Sequence, residues 1–116
     1  MKKEHIVRKN EEFYEIIKKG CYESNKLFTI YLLLRDSSKY RFGISVGKKI
    51  GNAVLRNKIK RQLRHIIMMN SELYLPKENY IIIVRKEYLN VPFNIIKEEY
   101  VKSLNKLKRR IYEEKK

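Results

Sequence analysis

An α+β fold, one sheet covered by helices, is the architecture the sequence predicts, and three observations carry the prediction. Two stretches, at about residues 52–69 and 92–111, bring apolar side chains round at helical spacing. Two others, 27–34 and 40–46, are short and rich in aromatic and β-branched residues, as strands are. A further short run, 80–84, is apolar at every position, the pattern of a strand buried on both faces. With a shorter helix at the front the order is α-β-β-α-β-α, with room for one more short strand around Cys21 to Ser24.

The first helix fits residues 10–19. Asn10 is a good N-cap, Glu11 and Glu12 suit the positive start of a helix, and Phe13, Ile16 and Ile17 share a face. Lys18 and Lys19 suit its end, and Gly20 can take a left-handed stop. Residues 27–34 follow as a strand, Asp36, Ser37 and Ser38 make a turn, and residues 40–46 return, which predicts a hairpin. Asn52 then caps a long helix to about Met69, with Leu55, Ile59, Leu63, Ile66 and Ile67 as its apolar stripe. Pro76 punctuates the loop before the strand at 80–84. Pro92, Phe93 and Asn94 open the last helix, which buries Ile96, Tyr100, Leu104, Leu107 and Ile111.

The 116 residues form one domain's worth of chain, 1–116, without repeats, low-complexity segments or a Gly/Ser/Pro linker. Hydrophobic residues make up 43%, enough to build a core. Cys21 is the only cysteine, so no disulfide forms within the chain, which suits a reducing cytosol. The longest apolar runs fall far short of the roughly 20 residues a membrane helix needs, and no signal-peptide stretch follows the first residues. A cytoplasmic protein with no membrane partner is expected.

Lys and Arg number 28 against 13 Asp and Glu, a formal charge of +15. Such one-sided charge repels itself, and a polyanionic partner relieves it. Its placement sharpens this. Residues 37–71 contain no acid, yet hold Lys39, Arg41, Lys48, Lys49, Arg56, Lys58, Lys60, Arg61 and Arg64. On the long helix Arg56, Lys60 and Arg64 repeat every four residues and stack along one face, with Asn57 and Arg61 as the adjacent row. A solvated helix alternates signs; this one does not. Phosphate answers the row through charge-assisted bonds to the guanidinium forks. A DNA recognition helix is the alternative, but strands rather than a short helix precede this one. A sheet, abundant aromatics and basic rows favour RNA, and no DNA partner is expected.

The stretch Lys48-Lys49-Ile50-Gly51-Asn52-Ala53-Val54-Leu55-Arg56-Asn57-Lys58-Ile59-Lys60-Arg61 resembles the signature of the bacterial ribonuclease P protein component, K-x-x-G-N-A-V-x-R-N-x-x-K-R. The order of elements agrees with that family over nearly the whole chain. The resemblance implies α-β-β-β-α-β-α, a mixed and mainly antiparallel sheet of about four strands with three helices. It also implies a left-handed βαβ crossover, as in a small-subunit ribosomal protein domain and a domain of elongation factor G. The general handedness rule points the other way.

It implies a function as well: the subunit binds the catalytic RNA of ribonuclease P and the 5′ leader of precursor tRNA, which the holoenzyme removes. Mg²⁺ is then held mainly by the RNA subunit and the substrate. Carried onto this chain, RNA-subunit binding falls to Lys48, Lys49, Asn52, Arg56, Asn57, Lys60, Arg61 and Arg64. Leader binding falls to Phe13, Ile17 and Tyr31, with Ile17 standing where many relatives carry a Phe. Phe28 is read as core, because residues 28 and 31 point to opposite faces of a regular strand.

Protein catalysis is not expected. His5 and His65 are the only histidines, and His65 follows Arg64 on the basic helix, where it reads as surface or RNA-facing. The acids come as neighbours, Glu11-Glu12, Glu98-Glu99 and Glu113-Glu114, which diverge on helices instead of clustering as two-metal hydrolysis requires. No His, Cys or Asp set has metal-ligand spacing.

Overall fold

The computed structural model describes residues 2–113, so Glu114 lies outside the described residues. Its elements are α1 (Asn10–Lys19), β1 (Cys21–Ser24), β2 (Phe28–Leu34), β3 (Arg41–Ser45), α2 (Ala53–Met69), β4 (Glu78–Val84) and α3 (Phe93–Tyr112). Three short 3-10 turns stand at Lys3–His5, Ser71–Leu73 and Lys86–Asn90.

The four strands make one mixed sheet in the order β1-β2-β4-β3. β1 pairs β2 antiparallel, β2 pairs β4 antiparallel, and β3 pairs β4 parallel. The expected hairpin of β2 with β3 is therefore wrong, because β4 lies between them. β4 is buried at six of its seven positions, and a strand apolar on both faces belongs in the middle of a sheet, with a neighbour on each side. The connection at 35–40 is pinned outside it, Arg35 donating its N–H to the Lys77 carbonyl at 2.9 Å and Ser37 its hydroxyl to the Pro76 carbonyl at 3.0 Å. The true hairpin is β1–β2, closed by Asn25, whose side-chain oxygen accepts from the Leu27 and Phe28 N–H groups at 2.7 and 2.9 Å. β3, α2 and β4 form the βαβ crossover.

Strand alternation divides the core in two. Phe28, Ile30, Leu32, Phe42, Tyr80 and Ile82 face α2 and α3, where they join Ile59, Leu63, Ile66, Tyr100 and Leu104 in the main core. Phe28 is fully buried there. The opposite face carries Tyr31, Leu33, Ile81 and Ile83, and α1 covers it with Phe13, Ile16 and Ile17. This second core is smaller and only partly closed.

Two details of α1 correct the sequence reading. Asn10 is its first helical residue and the N-cap is Lys9, which makes no side-chain capping bond. Gly20 is not left-handed but extended, at φ −77° and ψ 160°. Its value is room: a Cβ there would lie 2.5 Å from the Ile16 carbonyl oxygen and 2.9 Å from that of Leu32. The glycine lets the end of α1 close onto β2.

β4 also begins earlier than its apolar run, at Glu78, which is completely buried. Its carboxyl accepts from the Leu75 N–H at 2.8 Å, from Lys108 at 3.2 Å and from the Tyr80 and Tyr112 hydroxyls at 2.7 Å each. Both carboxyl oxygens have donors, which is what makes a buried acid tolerable. Burial, with the adjacent Glu78, pushes the Tyr80 phenol far up, so it stays a donor.

Candidate nucleic-acid interface

α2 has an inner and an outer face. Ile59, Leu63, Ile66 and Ile67 are buried, and Leu55 packs against the same core. Asn52 caps the helix, its side-chain oxygen accepting the Leu55 N–H at 2.9 Å. Gln62 fastens the inner edge by accepting from the Tyr88 hydroxyl at 3.1 Å, and burial pushes that phenol up to about 12. With the inner stripe fixed, helical geometry leaves the basic rows outside. Asn57, Arg61 and Arg64 are exposed, and Arg56 and Lys60 are half-buried along the flank. Lys48 and Lys49 are exposed in the turn closed by the Ile50 N–H on the Gly47 carbonyl at 3.0 Å, directly before the cap. His65 is exposed too, its ring 6.2 Å from that of Phe93.

Pairing separates these cations from the two others of the acid-free segment. Of the nine basic residues in the acid-free segment, Lys39 pairs with Glu4 at 2.8 Å and Arg41 pairs with Glu12. The Lys39 ammonium holds the Glu4 carboxyl below its usual range. Among the described residues the other seven, Lys48, Lys49, Arg56, Lys58, Lys60, Arg61 and Arg64, have no carboxylate at ion-pairing distance. The Arg56 Nε is buried without a hydrogen-bond partner. Elsewhere Arg35, Arg110, Lys108 and Lys19 all have acids. The outer face of α2 and the turn before it thus gather seven unpaired cations in a stretch without acids.

The three residues expected to bind the leader come together on the other side of the sheet. Phe13, Ile17 and Tyr31 pack round the small core of Val7, Ile16 and Ile81, each half-buried. Phe13 lies close against Gly43, where a Cβ would come within 2.7 Å of the ring. Glu12 ties this helix down, pairing with Arg41 of β3 and lying 3.7 Å from Arg35, which also reaches Glu15 at 3.1 Å. Sequence reasoning missed Tyr22. It is 55% exposed on β1 and stands opposite Tyr31, the ring centroids 5.6 Å apart. Only the β1–β2 register brings the two together, and the sequence hinted at it no further than the possible short strand.

Fold and surface define the class: a small, strongly basic α+β protein whose cationic helix lacks counterions of its own. The particular family follows from comparison with known proteins. The chain belongs to the ribonuclease P protein family, whose family model, described as Ribonuclease P, matches residues 1–108. The ribonuclease P protein component of Mycoplasma mycoides is 41% identical over 93% of this chain and 100% of its own length. That of Mesoplasma florum is 45% identical over 92% and 94%. Among solved structures, the ribonuclease P protein of Staphylococcus aureus superposes with a TM-score of 0.76 at 32% identity, covering 93% of this chain and 95% of its own. The Thermotoga maritima protein gives 0.75 at 32%, covering 89% and 94%. The chain is thereby a protein component of a tRNA-processing ribonuclease.

Proposed function

We propose that α2 and the turn before it bind the catalytic RNA subunit of ribonuclease P, and that the α1–sheet face helps hold the 5′ leader of precursor tRNA during its removal. The observation that carries this reading is the set of seven cations gathered on and beside α2, in a stretch of sequence that holds no acid and with no carboxylate at ion-pairing distance. Like charges at helical spacing repel by a few tenths of a kcal/mol per pair. Phosphates of a folded RNA relieve that repulsion and release counterions as they bind. Phe13 and Tyr31 add ring faces, which accept any base and so suit a subunit serving many leaders.

Catalysis in this reading belongs to the RNA. The same reading places Mg²⁺ mainly with the RNA subunit and the substrate. No helix among the described residues is long and apolar enough to cross a membrane, and we place the complex in the cytoplasm. The test is reconstitution with the cognate RNA subunit at low Mg²⁺. Cleavage of precursor tRNA should need the RNA and should rise when the protein is added. Cleavage by the protein alone, surviving treatment with ribonuclease to destroy any carried RNA, would overturn the proposal.

A further inference from the structure

We propose that Tyr22 is a further leader-binding residue, its exposed ring extending the Tyr31 surface into a second stacking place for a base of the single-stranded leader. This rests on the reading above and adds a residue to it.

In the β1–β2 hairpin, Tyr22 stands directly opposite Tyr31, and Ser24 opposite Thr29. All four side chains point to the face that α1 covers only in part, because residues two apart on a strand share a face. α1 lies over β2 and β4, so the outer strand β1 leaves its share of that face open, and Tyr22 is 55% exposed.

The two tyrosine rings are 5.6 Å apart and tilted by 40°. That gap is too narrow to admit a base between them. The pair is therefore a continuous aromatic shelf, on which successive bases lie side by side. Along the shelf, the Ser24 and Thr29 hydroxyls meet at 2.8 Å, offering donors and acceptors that favour no particular base. A base stacking on this shelf needs no sequence match, since every base has a π face. Ile17, the third residue of the expected cleft, is aliphatic and packed into the small core, so it contributes no ring.

The strand carrying Tyr22 is held rigidly. Arg110 of α3 donates to the Tyr22 carbonyl and pairs with Glu23, and Asn25 closes the hairpin while donating to Ser103 at 2.8 Å. These anchors lie on the backbone and on the opposite face, so the ring is free for a ligand while its position is fixed. Cross-strand tyrosine pairs also stabilise hairpins, and the experiment separates that role from binding.

The experiment uses the reconstituted holoenzyme and measures affinity for precursor tRNA and for mature tRNA with Tyr22→Ala, Tyr22→Phe and Tyr31→Ala. Precursors with a single abasic nucleotide at successive leader positions form a second axis. Tyr22→Ala should weaken precursor binding roughly tenfold, leave mature tRNA binding unchanged and lose its effect at one abasic position, whereas Tyr22→Phe should bind as the parent does. A Tyr22→Ala enzyme that keeps full precursor preference while Tyr31→Ala loses it would overturn the proposal and leave the leader face standing. Full preference in both would overturn the leader face as well. Equal loss in Tyr22→Phe and Tyr22→Ala, or a loss that no abasic position removes, would also refute stacking by this ring.

Discussion

The outer face of α2 and the α1–sheet face solve opposite electrostatic problems. On α2 and the turn before it, seven cations stand without a single acid. On the α1–sheet face, Arg35 and Arg41 are committed to Glu12 and Glu15, and the sheet beside them presents rings and hydroxyls. A surface of free cations binds through counterion release and weakens steeply with salt. A surface whose arginines are paired and whose rings are exposed binds chiefly through stacking and is less sensitive to salt. One protein therefore carries two modes of contact, divided by the thickness of a sheet.

The largest effect expected from breaking this division is on α2. The triple change Arg56→Ala, Lys60→Ala and Arg61→Ala should weaken binding to the RNA subunit on the order of a hundredfold or more at moderate salt. Gel-shift or filter-binding titration measures it, and the folding midpoint should not fall. A loss of affinity matched by unfolding would make the row structural instead.

Next comes the packing under α1. Gly43→Ala would put a Cβ 2.7 Å from Phe13 and from Ile81. Overpacking of this kind costs about 1–3 kcal/mol, measurable by urea unfolding. The displaced ring should also lower the preference for precursor over mature tRNA, with RNA-subunit binding retained.

The smallest effects contrast a paired with an unpaired charge. Glu12→Gln should cost no more than about 1 kcal/mol of stability, since it strips a partly buried partner from Arg41 and Arg35. Lys60→Gln should cost nothing or add a few tenths of a kcal/mol, because it relieves repulsion along α2. Thermal unfolding of the two variants in low salt checks both signs.

Much of this division was legible in the sequence. Helical spacing located α2 and α3, Asn52 announced its cap, and the acid-free segment marked the basic face. Composition alone could not place strands in the sheet. Residues 28–34 and 41–45 look like partners because they are neighbours in the chain, but the all-apolar β4 takes the centre and parts them. Glu78 was invisible as a core residue, since only the converging Tyr80, Lys108 and Tyr112 make its burial possible. Local propensity suggests a left-handed stop at Gly20, whereas the approach of α1 to β2 decides what that glycine does. Tyr22 was passed over because an exposed tyrosine on a short edge strand looks ordinary until its partner across the hairpin is known.

The measurement that bears most directly on the account is the salt dependence of RNA-subunit affinity, taken for the parent protein, for Arg61→Ala and for Tyr31→Ala. On this account the slope of log K against log salt becomes shallower by about 0.7–0.9 in Arg61→Ala, the value for one lost phosphate contact. In Tyr31→Ala it stays unchanged, while the preference for precursor tRNA falls. Parallel slopes in all three proteins, or the same loss of both properties in the two variants, would contradict the division into two surfaces.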